Sequence, residues 1–259
     1  MDKLRVTLMQ WDLIWEDAAA NRLRFSEQFE FLKGKTDLVI LPEMFTTGFS
    51  MSPEKVAETW PGESVEWLRK EAVRFGFVIC GSTMIKDGER FYNRFVWADA
   101  RGNLEFNDKR HLFQMGGEHE VYSPGNQQIV INFGGWRIAP FICYDLRFPV
   151  WTRNRNNYDL AIYVANWPAV RHQVWEKLLL ARAIENQCYV AGVNRVGTDG
   201  RELKYSGNSY MINPRGEIAL DFIPGIEEAK TVEISLNELN AFRDKFPVMT
   251  DADDFEIRI

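Results

Sequence analysis

The stretch that decides the fold is Trp136-Arg-Ile-Ala-Pro-Phe-Ile-Cys-Tyr-Asp-Leu-Arg147. Its apolar half predicts a strand, its polar half predicts a sharp turn with the Cys143 thiol at the tip, and Pro149 predicts the start of a helix. Such a turn holds a nucleophile rigidly and directs backbone N–H groups into the same cavity. A lone cysteine is more often a small buried hydrophobe, so the interpretation of Cys143 depends on other segments.

Two segments give Cys143 a chemical context. Asp37-Leu-Val-Ile-Leu-Pro-Glu43 predicts a buried strand with Glu43 just past its end, and Lys109 precedes an apolar patch. A carboxylate next to such a run is expected to be buried, which is costly unless it is paired. The structural alternatives are a helix N-cap or surface acid for Glu43 and a solvated loop lysine for Lys109. Spacing alone favours that alternative for Lys109.

Taken in order, these segments resemble the nitrilase, or carbon–nitrogen hydrolase, superfamily. Three motifs carry the resemblance: LPEMFTTGF (41–49), NDKRHLF (107–113) and ICYDLRFP (142–149). It continues through EHEVYSPG (118–125), VANWP (164–168), ARAIENQCYVAGVNRVG (181–197) and GNSYMINPRGE (207–217). The resemblance therefore covers nearly the whole chain. Each motif is weak alone, whereas three in this order are specific.

The resemblance implies a role for each residue of the predicted site. Glu43 takes the proton of the Cys143 thiol and later returns one to the leaving ammonia. Lys109 stabilises the oxyanion of the tetrahedral intermediate, together with the backbone N–H of Tyr144. Glu118 matches a second family glutamate, which holds Lys109 and positions substrate or water. Its offset from Ser123-Pro-Gly125 distinguishes it from the neighbouring Glu120.

No cofactor or metal is predicted. His111 and His119 invite comparison with a Cys–His pair, but a lone histidine is more often structural, and the family uses none. Carboxylates and histidines show no spacing typical of metal ligands.

The pocket candidates begin with Arg147 and Trp167. Arg147 lies four residues past the nucleophile and is suited to bind a substrate carboxylate, or equally to form a structural ion pair with Asp145 or Glu43. Trp167 ends a buried strand, on the side where α/β sheets present ligands. The other candidates are Tyr144, Phe45, Phe113 and Met115, of which the last three fit the core equally well.

Amide hydrolysis is the predicted reaction, because CYDLRFP resembles the amidase branches of the superfamily. GEH, CYDLRFPVW and ANWP together are similar to ω-amidases that deamidate 2-oxoglutaramate or 2-oxosuccinamate. Those substrates carry a carboxylate for Arg147. Hydrolases of N-carbamoyl amino acids or N-carbamoylputrescine are alternatives, although the latter require an acidic pocket and Asp145 is the only spare acid. A catalytically idle binding or scaffold protein is the alternative from another class.

Size and charge set further limits. A chain of 259 residues suits one domain, so a single carbon–nitrogen hydrolase domain is predicted over residues 1–259. The aromatic content of 14% allows a sizeable core. The net charge of −6 argues against a nucleic-acid surface. No apolar run reaches the ~20 residues of a membrane span, so no membrane partner is expected. A small-molecule amide is the predicted partner.

Cysteine usage predicts the compartment. Cys80, Cys143 and Cys188 are odd in number and widely spaced, which indicates neither a disulfide framework nor a zinc site. Cys80 and Cys188 lie in apolar runs and are interpreted as inert core thiols. Met1-Asp-Lys-Leu-Arg5 leads directly into a strand pattern without a signal peptide, so we expect the reducing cytoplasm.

Strands and helices alternate along the chain, with an antiparallel middle. Helices are predicted around residues 18–32, 65–75 and 172–187, and a late hairpin is predicted from strands 205–212 and 218–222. This pattern indicates a mixed α/β sheet covered by helices. The resemblance implies a four-layer α-β-β-α sandwich. It also implies a homo-oligomer, a dimer or higher, with an irregular tail at about 246–259 packed on a neighbouring subunit.

Overall fold

The computed structural model describes residues 1–258. The strands are β1 (Lys3–Gln10), β2 (Leu38–Ile40), β3 (Glu58–Thr59), β4 (Val78–Asp87), β5 (Arg90–Ala98), β6 (Leu104–Asp108), β7 (Ile131–Phe133), β8 (Trp136–Ile142), β9 (Leu160–Ala165), β10 (Tyr189–Asn194), β11 (Val196–Thr198), β12 (Lys204–Ser206), β13 (Tyr210–Ile212), β14 (Ile218–Asp221) and β15 (Glu228–Ser235). The helices are α1 (Ala18–Leu32), α2 (Pro53–Val56), α3 (Glu63–Phe75), α4 (Glu118–Val121), α5 (His172–Asn186) and α6 (Leu236–Lys245).

Two large mixed sheets organise the molecule. One has the strand order β15-β1-β2-β4-β5-β6, with β3 paired to β4, and the other has the order β14-β13-β10-β9-β8-β7. The centres are parallel (β1, β2 and β4 in the first sheet; β8, β9 and β10 in the second), as is the short β3–β4 pairing, and the other pairings are antiparallel. Parallel neighbours end at the same edge of a sheet. In the second sheet this places the segments after β8 and β9 side by side. The segment after β2 meets them from the facing sheet, where Glu43 accepts the backbone N–H of Asn166.

The core consists of three apolar layers, one between the two sheets and one on the outer face of each sheet. Side chains such as Val6 and Ile162 fill the space between the sheets. Phe29 of α1 and Leu68 of α3 pack on the outer face of the first sheet. Trp175 and Leu179 of α5 pack on the outer face of the second sheet. The predicted four-layer α-β-β-α sandwich is therefore confirmed.

The predicted helix after Pro149 is wrong. A 3-10 helix instead begins at the cysteine itself and ends at Arg147 (Cys143–Arg147), directly before Phe148, whose φ is −114° and ψ is 85°. A residue before proline is driven out of the α region by the proline ring, which explains this end. Irregular turns follow up to β9.

The strand predicted over residues 205–212 is divided in the structure. β12 ends at Ser206 and pairs with β11, whereas β13 begins at Tyr210 in the second large sheet. Between them, Gly207 (φ 72°) and Asn208 (φ 58°) adopt left-handed conformations that turn the chain from one sheet to the other. The predicted hairpin survives as β13 and β14.

The C-terminal segment was expected to be irregular. After α6, which the sequence patterns did not predict, a short 3-10 turn covers Val248–Asp251 and the chain then continues without regular structure. Phe255 lies against the Arg155 guanidinium, 4.3 Å from ring centre to Cζ. Ile259, the last residue of the predicted tail, lies outside the described residues. Among residues 1–258, no helix has both the length and the apolar character needed to cross a membrane.

Candidate active site

Cys143 lies at the carboxyl end of β8 in a left-handed conformation, with φ 45°. Met44, directly after Glu43, has the same φ of 45°. Non-glycine residues rarely adopt this region, and the strain costs of order 1–3 kcal/mol each, so the surrounding structure must hold it. The turn at Met44 directs the Glu43 side chain, and the turn at Cys143 directs its own thiol, towards the space between the strand ends.

Lys109 lies between two buried carboxylates. Its Nζ is 2.9 Å from Oε1 of Glu43, and 3.0 and 2.9 Å from the two carboxylate oxygens of Glu118. All three side chains are fully buried. Its own backbone is fixed as well, because Gly125 N–H donates to Lys109 O at 2.8 Å. A Cβ at Gly125 would lie 2.2 Å from Asp108 O, so this approach requires glycine.

The charges of Lys109 and Glu118 depend on each other. Burial alone lowers the pKa of Lys109, but the adjacent Glu118 and Glu43 outweigh burial and raise it above the ordinary lysine value. Burial raises the pKa of Glu118, Lys109 opposes the change, and Glu43 adds to it. Lys109 is therefore a permanent ammonium group, and two acids compete for it.

Two asparagines that the sequence did not single out complete this arrangement. Asn93 of β5 donates through Nδ2 to Oε1 of Glu43 at 2.8 Å, and its Nδ2 lies 3.4 Å from Oε1 of Glu118. Asn166, after β9, donates its backbone N–H to Oε2 of Glu43 at 2.7 Å and its amide to Glu43 O at 2.6 Å. We call Glu43, Asn93, Lys109 and Glu118 the charged cluster.

The thiol of Cys143 is half-buried beside this cluster. Burial raises its pKa well above the usual cysteine value, Glu43 raises it further, and Lys109 opposes the change. The resting sulfur is therefore a neutral thiol that needs a base when it attacks. Burial also raises the pKa of Cys80 and Cys188, which lie inside the core.

Asp145 connects the lysine segment to the cysteine turn. Its Oδ1 accepts the backbone N–H of His111 at 2.9 Å and lies 2.8 Å from Nδ1 of the same histidine, while Oδ2 accepts Ile142 N–H at 3.1 Å. The His111 ring also stacks on Phe148, with centroids 3.7 Å apart. Asp145 is thus occupied by His111, and the alternative ion pair of Arg147 with Asp145 is not formed.

A cavity of about 320 Å³ leads from the surface to Cys143 and Lys109. Phe113, Met115, Tyr144 and Trp167 line it, as does Phe49. Phe45 was a pocket candidate, but the structure places it in the core, 6.1 Å from the Phe25 ring and 5.9 Å from the Trp67 ring. The chain turns between Phe45 and Phe49, because Gly48 N–H donates to Met44 O at 2.8 Å and Gly48 has φ 71°, and this turn separates the two rings.

Three arginines also line this cavity: Arg147, Arg171 and Arg201. We call them the arginine rim. The Arg147 guanidinium lies over the Trp167 ring at 5.4 Å, and that of Arg171 lies over Phe113 at the same distance. Glu43 is occupied by Lys109 and Asp145 by His111, so neither neutralises Arg147. Asp199 also faces the cavity. Its carboxylate accepts from the backbone N–H groups of Arg201 and Leu203 and from the Tyr205 hydroxyl, so these groups occupy it instead of a guanidinium.

Comparison with known proteins places this geometry in a family. The model of the carbon-nitrogen hydrolase family matches residues 5–244. The omega-amidase YafV of Escherichia coli strain K12 is 46% identical over 258 residues, which cover 99% of this chain and 100% of that protein. The 2-oxoglutaramate amidase of Bacillus subtilis strain 168 is 31% identical over 256 residues, covering 96% and 97% of the two chains.

A solved structure agrees with the sequence relatives. It is a carbon–nitrogen hydrolase superfamily protein of Xanthomonas campestris with an arsenic adduct in its active site. It is 44% identical and superposes with a TM-score of 0.97 over 100% of both chains. This chain therefore belongs to the carbon–nitrogen hydrolase family, as an amidase that acts on C–N bonds other than peptide bonds.

Proposed function

We propose that this enzyme is an ω-amidase that hydrolyses 2-oxoglutaramate, 2-oxosuccinamate or a close analogue to the 2-oxo dicarboxylate and ammonia. The arginine rim is the observation that carries the substrate class. In an acidic protein, three guanidinium groups line a cavity that reaches a nucleophilic cysteine. Such groups suit a substrate with a carboxylate at the end opposite its amide. The two named amidase relatives support the same class.

The first half of the reaction forms an acyl-enzyme. Glu43 accepts the proton of the Cys143 thiol as the sulfur attacks the amide carbon. Negative charge develops on the carbonyl oxygen, where the Lys109 ammonium and the Tyr144 backbone N–H stabilise it. The intermediate collapses, the C–N bond breaks, and ammonia leaves with the proton held by Glu43. A thioester to Cys143 remains.

The second half returns the enzyme to its resting state. Glu43 takes a proton from water, the resulting hydroxide attacks the thioester, and the same oxyanion contacts act again. The C–S bond breaks, and the sulfur recovers its proton from Glu43. Glu118 holds Lys109 in place through both halves, because its two oxygens accept from the ammonium at 3.0 and 2.9 Å. Arg147 holds the substrate carboxylate throughout.

A substrate panel scored by ammonia release tests this assignment. The panel contains 2-oxoglutaramate, 2-oxosuccinamate, a neutral amide of the same length, an N-carbamoyl amino acid, N-carbamoylputrescine and an aliphatic nitrile. The ω-amides should have the highest kcat/KM, at least about tenfold above the neutral amide, since one charge-assisted pair contributes about 1.5–3 kcal/mol. A preference for either carbamoyl compound would overturn the ω-amidase assignment.

We also propose that the enzyme is a homodimer or a larger homo-oligomer. Val150, Val170, Ile184 and Phe246 are large apolar side chains with half or more of their surface exposed, and a second copy that covered them would remove this apolar surface from water. In this arrangement the tail from residue 246 packs on the neighbouring subunit. Sedimentation of the full chain and of a chain ending at residue 245 tests both points, because loss of the tail should weaken the oligomer.

The proposed location is the cytoplasm. Cys80, Cys143 and Cys188 are all free thiols, and catalysis requires Cys143 to stay reduced. Fractionation of cells that express the native chain should recover the amidase activity in the cytoplasmic fraction, and activity in another compartment would exclude this location.

A further inference from the structure

Asn93 is a buried polar residue on strand β5, and the proposed mechanism does not use it. Its side chain is fully buried and is not among the groups that line the cavity. It nevertheless reaches both acids of the charged cluster, through Nδ2 at 2.8 Å from Glu43 and 3.4 Å from Glu118. A neutral donor between two carboxylates stabilises their charged forms without adding a second cation.

The direction of the Asn93 amide is determined by its neighbours. Met44 N–H donates to Ser82 Oγ at 2.9 Å, so the Ser82 hydroxyl is free to donate its own hydrogen to Asn93 Oδ1, 2.8 Å away. The amide oxygen is therefore occupied by a donor, and the NH₂ group must face the acids. A continuous series of hydrogen bonds therefore runs from Met44 N–H through Ser82 and Asn93 to the Glu43 carboxylate.

The two oxygens of Glu43 are consequently not equivalent. Oε1 accepts from Asn93 Nδ2 at 2.8 Å and from Lys109 Nζ at 2.9 Å, which uses both of its lone pairs. Oε2 accepts from Asn166 N–H at 2.7 Å and keeps one lone pair. A proton arriving from Cys143 has a free acceptor site only on Oε2.

We propose that Asn93 is a positioning residue that, together with Lys109, occupies Oε1 of Glu43 and thereby makes Oε2 the atom that exchanges protons with the Cys143 sulfur. This inference rests on the proposed role of Glu43 as the base. Asn93 itself touches neither substrate nor sulfur. Its effect is on the protonation of the base, which separates it from a residue that only packs the core.

The pH profile of Asn93→Ala tests the proposal. The titratable groups that face Glu43 are Lys109, Glu118, Cys143, Tyr122 and Tyr205, and all remain in this variant. Loss of the donor favours the protonated form of the base, so the acid side of the kcat/KM profile should move up by about one to two pH units. At neutral pH kcat should fall about 10- to 100-fold, with little change in KM.

A second readout does not depend on the substrate. Alkylation of Cys143 by iodoacetamide, followed by mass spectrometry against pH, should show the same upward shift in Asn93→Ala. If the wild type does not hydrolyse 2-oxoglutaramate, the ω-amidase assignment fails, but this alkylation profile still decides the role of Asn93. An unchanged alkylation profile in a folded Asn93→Ala protein would overturn the proposal.

Asn154→Ala is the matched control. Asn154 is also buried, but its amide donates to Tyr158 O and Asn186 O at 2.9 Å each, away from the charged cluster. The Asn154→Ala substitution should lower the melting temperature and leave the pH profiles of kcat/KM and of alkylation unchanged. If Asn93→Ala does not fold, Ser82→Ala replaces it. That change keeps Asn93 but frees its amide to rotate, so a smaller shift in the same direction is expected, and no shift would count against the proposal.

Discussion

The charged cluster reaches the cavity through Lys109, and the arginine rim lines the same cavity, but the two are built in opposite ways. Lys109 and its two acids are fully buried, with each charge paired at about 3 Å. Arg147 is exposed, and its guanidinium lies on an aromatic ring instead of a carboxylate. Paired, buried charges are pre-organised for one reaction, whereas unpaired charges at a cavity mouth are available to a ligand. We therefore propose that the cluster breaks the C–N bond and that the rim selects the substrate.

The largest effect is expected from removing the nucleophile beside the cluster. Cys143→Ala deletes one half-buried sulfur and little core volume, so the fold should remain while turnover falls by at least about a thousandfold. Ammonia release and the melting temperature, measured on the same sample, check this. Cys188→Ala is the control, since its thiol is buried in the core and its loss should reduce stability but not turnover. Residual activity above about a thousandth of wild type would contradict the covalent mechanism.

The cluster itself is tested by Lys109→Arg. A planar guanidinium cannot place its charge where the compact ammonium contacts Glu43 and Glu118, so we expect a loss of about 100- to 1000-fold in kcat. Arginine keeps the positive charge, whereas Lys109→Met leaves two buried carboxylates without a cation and should destabilise the fold by roughly 3–5 kcal/mol. The melting curves of the two variants show how much the positive charge stabilises the fold, and the kcat of Lys109→Arg shows how much catalysis depends on the position of that charge. Near-normal turnover in Lys109→Arg would contradict the oxyanion role.

The contrast between the two regions also separates what sequence reasoning can reach from what it cannot. Glu43 and Cys143 follow apolar runs that are easily identified as strands. These strands belong to two different sheets, so their meeting becomes predictable only once the two sheets are known to face each other. Asn93 lies within a strand where alternation does not show which polar residue faces an acid. Asn166 acts through its backbone N–H, which no residue pattern reveals.

Local conformation accounts for the remaining differences. Phe45 and Phe49 are both aromatic residues of one motif, and the turn between them, which ends at Gly48 with φ 71°, places one in the core and the other at the cavity. The division of the strand over 205–212 follows from positive φ at Gly207 and Asn208, the second of which is not a glycine. The arginine rim combines residues from three separate segments, so composition alone did not reveal it.

The arginine rim should show a smaller and more selective effect than the cluster. Arg147→Met removes the proposed carboxylate contact, so kcat/KM for 2-oxoglutaramate should fall about 10- to 100-fold. Hydrolysis of a neutral amide of the same length should continue at its slow wild-type rate. Measuring both substrates and the melting temperature decides the case. If both activities fall together and the protein melts earlier, Arg147 is structural.

The smallest effects come from a matched pair of aromatic residues that the structure assigns to different places. Phe45→Leu alters packing against Phe25 and Trp67, so it should reduce the free energy of unfolding by roughly 1–2 kcal/mol and leave KM within about twofold. Phe49 lines the cavity, and its ring lies 5.2 Å from Lys109 Nζ. Phe49→Leu should therefore change KM several-fold and the melting temperature little. Denaturant unfolding and steady-state kinetics on both variants test this. The opposite result, a kinetic effect at Phe45 and a stability effect at Phe49, would show that Phe45 and not Phe49 forms the wall of the cavity.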